Sequence, residues 1–330
     1  LGGETIETIY WGGGTPSQLD KEDFETIFYY LHKNYSISSH PEITLEANPD
    51  DLTPDYIAML RTLPFNRLSM GIQTFNESIL KVLQRRHTAR QAIEAFQNCR
   101  AAGFQNISID LMYGLPGETL STWQQDLDQA LLLHPEHLSA YHLIYEEDTV
   151  LWKLREQHKV EEADEDLSVS LFSTLIDRLT SEGYDHYEIS NFSLPGLYSR
   201  HNSSYWTEKK YLGCGPSAHS YNGVSRQWNV ASLDTYIKGI SAGTPVFEIE
   251  ELELYTRYND FVITRIRTEW GMPLSKLRDE FGEKLYDYCL RMAAPHLKQG
   301  TLELVNDILK LTRKGIFISD GIMSDMLWTD

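Results

Sequence analysis

From Ile6 to Tyr145, short apolar runs of strand length alternate with longer stretches whose apolar residues recur at helical spacing. That alternation predicts parallel strands joined by helical crossovers. Five strands are expected: Ile6 to Trp11, Ile43 to Ala47, Arg67 to Ile72, Ile107 to Met112 and Leu138 to Tyr145. The intervening helices carry their own marks. Thr88 and Gln91 form a capping box, Ala92, Ala95, Phe96, Cys99 and Ala102 make one apolar stripe, and Gly103 closes the segment. A later helix sets Leu120, Trp123, Leu127, Ala130 and Leu131 on one face and stops at His134-Pro135. Both are expected to cover the outside of the sheet. From about Glu250 the pattern changes to a helix burying Tyr258, Phe261, Val262 and Ile266, two shorter helices, and a hairpin from Leu302 to Leu311 turning at Asn306-Asp307.

The polar residues of the first region sit where its strands end. Three glycines follow the first strand, Glu46 and Asn48 the second and Gln73 the third, while Asp110 lies near the end of the fourth. In a parallel α/β barrel that rim carries the chemistry. A lone acid such as Glu46 has an ordinary reading as a loop or capping residue, but several polar residues at equivalent strand ends weigh against it. Thr8-Ile9-Tyr10-Trp11-Gly12-Gly13-Gly14-Thr15-Pro16 is the most informative run, because glycine lets a ligand approach the backbone closely. It leads toward a helix starting near Leu19 or Asp20, so its amides are placed to meet a carboxylate or phosphate. The lysine of a P-loop and the spaced glycines of a dinucleotide fold are both missing. By itself the run is a tight turn or a binding turn, and its place in the strand-helix series favours binding.

Composition removes some functions. Lys and Arg number 29 against 48 Asp and Glu, a formal charge of −19, which opposes non-specific attraction to nucleic acid or anionic lipid. Much of the acid lies between Glu146 and Asp166. It reads as a solvated linker running into a helix N-terminus, where acids are favourable; a docking surface for a basic partner is the alternative. No apolar run approaches the roughly 20 residues of a membrane span, and no secretory leader is found. A soluble, cytoplasmic protein is expected. Cys99, Cys214 and Cys289 are too few and too scattered for a disulfide scaffold or a clustered metal site, and Cys99 is expected in the core. With 330 residues, two or three domains are expected. Leu1-Gly2-Gly3-Glu4 reads as a loop leading straight into the first strand, as in a chain whose front segment is missing.

YWGGGTP, LEANPDD, LSMGIQTFNESILKVLQRRH and ISIDLMYGLPGET, in this order, resemble the radical SAM family and its coproporphyrinogen oxidase-like branch. The likeness runs through nearly the whole chain. It implies an α/β fold: a partial (β/α)6 radical SAM-type barrel, N-terminally truncated so that the five strands are the second to sixth, followed by a small winged-helix-like α+β C-terminal domain. The implied divisions are 1–160 for the partial barrel, 161–249 for an extension and 250–330 for the C-terminal domain. By resemblance, Gly13, Gly14 and Thr15 hold the methionine end of S-adenosylmethionine (SAM), Glu46 is a further SAM contact, and Gln73, Arg85 and Asp110 match contacts of a second SAM. Ile144 aligns with another contact but reads better as a buried strand residue. The family's C-x3-C-x2-C triad, which holds a 4Fe-4S cluster, is not in this sequence. Its place would be on the missing first strand, so the chain as given is expected to hold no cluster and start no radical chemistry.

His201-Asn202-Ser203-Ser204-Tyr205-Trp206 matches the HNxxYW signature of the HemW-type heme chaperones, and Leu212 to Tyr221 follows as in that group. The match implies His201 as an axial ligand to heme iron, with Tyr205 and Trp206 against the porphyrin. His219 is implied either as a second iron ligand or as a SAM contact. A winged-helix shape raises DNA binding, yet residues 251–330 carry thirteen acids against eleven bases and no basic stripe, so no nucleic-acid partner is expected. The expected function is heme binding and delivery to heme-requiring proteins such as respiratory enzymes. The alternative is an oxygen-independent coproporphyrinogen III oxidase, converting propionates to vinyls by a SAM-derived radical. A cluster-free scaffold without ligand is a third reading. The open edge of the strand at Ile6 to Trp11 is expected to lower stability or to pair two chains into a homodimer.

Overall fold

Alternation with a period of two organises the first strands, so each puts its apolar residues on one face and its polar residues on the other. The computed structural model describes residues 3–329; Leu1 and Gly2, the start of the expected leading loop, and Asp330 lie outside the described residues. Contacts divide the chain into two compact units, Thr5–His201 and Leu1–Glu4 with Asn202–Asp330.

In the Thr5–His201 unit the strands are β1 (Ile6–Trp11), β2 (Ile37–Ala47), β3 (Arg67–Gln73), β4 (Ile107–Tyr113), β5 (His137–His142), β6 (Asp185–Glu188) and β7 (Asn191–Ser193). Its helices are α1 (Lys21–Asn34), α2 (Pro54–Leu60), α3 (Glu77–Val82), α4 (Ala89–Ala101), α5 (Leu120–Leu132), α6 (Val150–Glu156) and α7 (Glu165–Ser181). The sheet order is β1-β2-β3-β4-β5-β7-β6, with β1 to β5 parallel and the last two antiparallel. β1 is an edge strand, as expected.

The apolar face is fully used. Leu45, Leu68, Met70, Ile72, Ile107, Ile109 and Leu111 are buried, each worth roughly 1.5–3 kcal/mol of transfer from water. Trp11 meets Phe24 and Phe28 of α1 and Phe65, with ring centroids at 5.0, 5.2 and 5.9 Å. The expected capping box of Thr88 and Gln91 opens α4, whose Ala92, Ala95, Phe96 and Cys99 are buried. Asp164 caps α7 through the Leu167 amide, with Glu165 and Asp166 in its first turn. A single turn of 3-10 helix, Pro16–Gln18, comes between the glycines and α1, and Asp20 with Asp23 forms the capping box of that helix.

Three expectations need correction. The fifth strand ends at His142, one residue before the last bond to β4, from the Leu143 amide to the Tyr113 carbonyl at 2.8 Å. Ile144 is therefore no buried strand residue: it is 74% exposed on the loop. Leu120, at the first turn of α5, is exposed as well, whereas Trp123, Leu127 and Ala130 of the expected face are buried.

In the other unit, α8 (Arg200–Trp206) leads out of the first unit into β8 (His219–Tyr221), β9 (Ser225–Asn229), α9 (Leu233–Ser241) and β10 (Phe247–Glu251), which form a sheet ordered β10-β9-β8. Then come α10 (Leu254–Ile266), β11 (Met272–Pro273), α11 (Leu274–Gln299), β12 (Leu302–Val305), β13 (Ile308–Leu311), α12 (Arg313–Ile316) and α13 (Ser319–Met326). The expected buried set of α10 is buried. Gly282, at φ 80°, breaks α11 into the two expected helices. Asn306 and Asp307, at φ 50° and 70°, make the hairpin turn where expected. Asp307 also accepts the amide of Ser275 at 2.9 Å, a cap for α11 from the hairpin tip.

Candidate functional site

The second face of the sheet is polar from strand to strand. It presents Thr8 and Tyr10 from β1, Glu42, Thr44 and Glu46 from β2, Arg67, Ser69 and Gln73 from β3, Ser108 and Asp110 from β4, and His137, Ser139 and Tyr141 from β5. A barrel lined this way is built to meet polar ligands rather than to fill itself with apolar side chains.

At its rim the glycine turn and Glu46 form one unit. Tyr10 Oη donates to Glu46 Oε1 at 2.7 Å, and the Gly13 amide donates to Glu46 Oε2 at 3.2 Å. A Cβ on Gly12 would fall 2.6 Å from Tyr10 Cε1 and 2.8 Å from Glu46 Oε1, so any side chain there would displace that pair. Gly13 and Gly14 take φ 74° and 60° on an exposed turn, a conformation that favours glycine. Thr15 follows as an exposed residue whose side chain makes no cap.

Along the rim, Arg85 Nη2 donates to Asn48 Oδ1 at 2.7 Å and to the Gly71 carbonyl at 2.8 Å, tying the ends of β2 and β3 together. Gln73 ends β3 at φ 71° where the register with β4 shifts, a strained position for a side-chain-bearing residue at a rim. Ser69 Oγ donates to both oxygens of Asp110 at 3.2 and 3.1 Å. Burial pushes the Asp110 carboxyl up to about 6; Arg67 opposes the rise and Glu46 adds to it. Arg67 itself is 1% exposed, and its Nε finds no hydrogen-bond partner among the described residues. The structure thus brings Gly13, Glu46, Gln73, Arg85 and Asp110 to one rim and face.

His201 enters the same face from the start of α8. Its Nδ1 lies 3.0 Å from Thr8 Oγ1, and its ring stacks on Tyr10 with centroids 4.5 Å apart and 17° between planes. Glu42 accepts the amides of Arg200 and His201 at 3.0 and 2.9 Å. Burial, helped by Arg67, lowers the His201 imidazole to about 4, so the ring is neutral at neutral pH. Neutral imidazole is the form that coordinates a metal. Tyr205, Trp206 and His219 belong to the other unit. There Tyr205 packs edge-on against Tyr211 at 4.8 Å, Arg267 lies over Trp206 at 4.3 Å, and His219 stacks on Trp228 at 6.0 Å.

Thr8, Tyr10, Glu42 and Arg67 were not singled out by the sequence reading, although the period-two alternation of polar residues on β1 and β2 was there to find them. Beneath the rim, Ser108, His137 and Tyr187 form a buried relay at 2.8 and 2.7 Å. Glu118 accepts the amides of Gly114 and Leu115 at 2.6 and 3.2 Å while its Oε1 stays unpartnered; burial raises its carboxyl to about 7. Among the described residues no three His, Cys, Asp or Glu side chains gather as a metal site, and burial raises the thiols of Cys99 and Cys289 to about 12, away from the thiolate an iron needs.

Residues 2–130 match the Radical SAM superfamily and residues 252–318 match the HemN C-terminal domain. The heme chaperone HemW of Lactococcus lactis subsp. lactis (strain IL1403) is 32% identical over 330 residues, covering 99% of this chain and 86% of that protein. That of Bacillus subtilis (strain 168) is 30% identical over 324 residues, covering 98% and 86%. Among solved structures, coproporphyrinogen III oxidase (HemN) from Escherichia coli superposes with a TM-score of 0.83 at 23% identity, covering 98% of this chain and 78% of that one. It shows the shared fold, a half-barrel followed by the small C-terminal domain.

Proposed function

The chain belongs to the HemW family within the radical SAM superfamily, and on that premise we propose that it is a heme chaperone, binding heme through His201 and delivering it to heme-requiring proteins such as respiratory enzymes. Relatives that carry this function match it from end to end at about a third identity. The observation that carries the site reading is the setting of His201. Its imidazole is neutral, oriented by Thr8, backed by the Tyr10 ring and anchored through its own amide to Glu42. A ligand histidine needs the correct tautomer held by a partner on its other nitrogen. Thr8 supplies such a partner at Nδ1. Heme would supply an iron for a nitrogen ligand.

The glycine turn fits the amino-acid end of SAM. Gly13 and Gly14 offer exposed backbone to a carboxylate, Glu46 offers a carboxylate to an ammonium, and Gln73, Arg85 and Asp110 add polar groups on the same rim. SAM together with a 4Fe-4S cluster is what the superfamily uses for radical chemistry, and the C-x3-C-x2-C triad that would hold the cluster is not in this sequence. The oxidase reading rests on fold likeness alone.

Heme titration followed by absorbance tests the proposal. A saturable Soret shift in the wild type that His201→Ala abolishes supports the chaperone. Identical spectra in both, together with conversion of coproporphyrinogen when SAM and a reductant are supplied, overturn it in favour of the oxidase. Transfer to an apo respiratory hemoprotein, read by its own absorbance, tests delivery, and light scattering tests pairing of two chains along β1.

A further inference from the structure

We infer that Tyr10 is a positioning residue linking the glycine turn to the heme histidine, so that SAM and heme bind cooperatively; this rests on the heme and SAM readings above. Three contacts make an unbroken path between the two sites and a fourth holds its end, all within the Thr5–His201 unit. Gly13 N donates to Glu46 Oε2 at 3.2 Å, Tyr10 Oη donates to Glu46 Oε1 at 2.7 Å, the Tyr10 ring stacks on His201 at 4.5 Å, and His201 Nδ1 meets Thr8 Oγ1 at 3.0 Å. The path has no slack at its middle. Gly12 passes so close to the Tyr10–Glu46 contact that one added carbon would collide with both partners.

The direction of the coupling follows from what each group is already doing. The amide that would receive a carboxylate from SAM is occupied by Glu46, and Glu46 is the group that would receive the ammonium. An amino-acid end entering the turn therefore competes for both. When Glu46 turns to the ammonium, the Tyr10 hydroxyl loses its acceptor in a setting where an unpaired hydroxyl is costly. The ring then leaves its stack, so one face of His201 opens while Thr8 and Glu42 still hold the imidazole. A porphyrin carried on the imidazole nitrogen spreads to either side of that ring and needs the space that Tyr10 fills, so release favours heme. SAM thus tightens heme binding, and by linkage heme tightens SAM binding by the same factor.

The experiment is a heme titration of the chain with and without saturating SAM, in wild type, Tyr10→Phe and His201→Ala, with SAM binding followed separately by equilibrium dialysis. In wild type, SAM is expected to lower the heme Kd by about fivefold or more, in the usual range of coupling between sites. Tyr10→Phe has no hydroxyl to tie its ring to Glu46, so the ring leaves the stack without help from SAM; the variant is expected to bind heme tightly without SAM and to show no further gain with it. Three results overturn the coupling: a wild-type heme Kd indifferent to bound SAM, an undiminished SAM effect in Tyr10→Phe, or no SAM retained in dialysis. The underlying heme reading fails differently, by a Soret shift that survives His201→Ala.

Discussion

Glu42 accepts the backbone amide of His201 at 2.9 Å, so a carboxylate on β2 fixes where the first turn of α8 meets the sheet. The second oxygen takes the neighbouring Arg200 amide at 3.0 Å, and the side chain is 7% exposed. One acid therefore takes both amides at the start of the helix, and it sets the approach of the histidine to Thr8 and Tyr10.

Removing that acid has a structural and a functional cost. Glu42→Ala is expected to lose about 1–3 kcal/mol in urea unfolding, the cost of leaving buried donors unsatisfied. The same variant is expected to bind heme with altered Soret position, because His201 no longer has a fixed origin. Glu42→Gln, which retains an acceptor, is expected to fall between the two. Equal stability of wild type and Glu42→Ala would remove Glu42 from this role.

Gly12→Ala places a carbon where Tyr10 and Glu46 touch. Both colliding atoms are ends of side chains, so the fold is expected to survive with little change in its unfolding midpoint. SAM affinity, measured by dialysis, is expected to fall by on the order of tenfold, equivalent to about 1.4 kcal/mol. A variant that unfolds normally and keeps full SAM affinity would show that the pair is not part of the SAM site.

Stability should carry the signature of Glu118. Its carboxyl is raised from 4.5 in the open chain to about 7 in the fold by burial, so the fold favours the neutral form. That contribution is fully present below about pH 4.5 and is lost as pH rises through about 7. Glu118→Gln imitates the neutral form. The two proteins are expected to be alike near pH 4, and the variant to be more stable by on the order of 3 kcal/mol at pH 8. Urea unfolding across this range checks it; a difference that does not change with pH would refute the assignment.

Arg67 is buried with an unpartnered Nε, a costly state for a guanidinium. Arg67→Met keeps the volume and removes the charge, and is expected to raise stability by about 1–3 kcal/mol. It should also raise the Asp110 pKa further above 6, since Arg67 is the group that holds it down. Carboxylate-selective NMR titration reads the second effect, and an Asp110 titration unmoved by the variant would place the two residues out of reach of each other.

Much of this protein was determined by residues close together in the chain. Strand starts at Ile6, Arg67 and Ile107, the capping box of α4, the buried stripe of α10 and the hairpin turn at Asn306-Asp307 all arise from spacing, branching and caps over a few positions. The rim residues Gly13, Glu46, Gln73 and Asp110 were legible for the same reason, since each ends or nearly ends a strand. Tertiary structure decided the rest. β5 stops at His142 and Ile144 beyond it faces solvent, although the apolar run continues to Tyr145. Asp307 caps a helix 32 positions earlier, which no hairpin pattern announces. The meeting of His201 with Thr8 spans 193 positions. It exists because β1 and β2 lie side by side at the sheet edge and turn their polar alternation toward the point where α8 begins. Local preferences act over a turn or a strand, whereas that convergence is set by the order in which strands pair and by which face the crossover helices leave open.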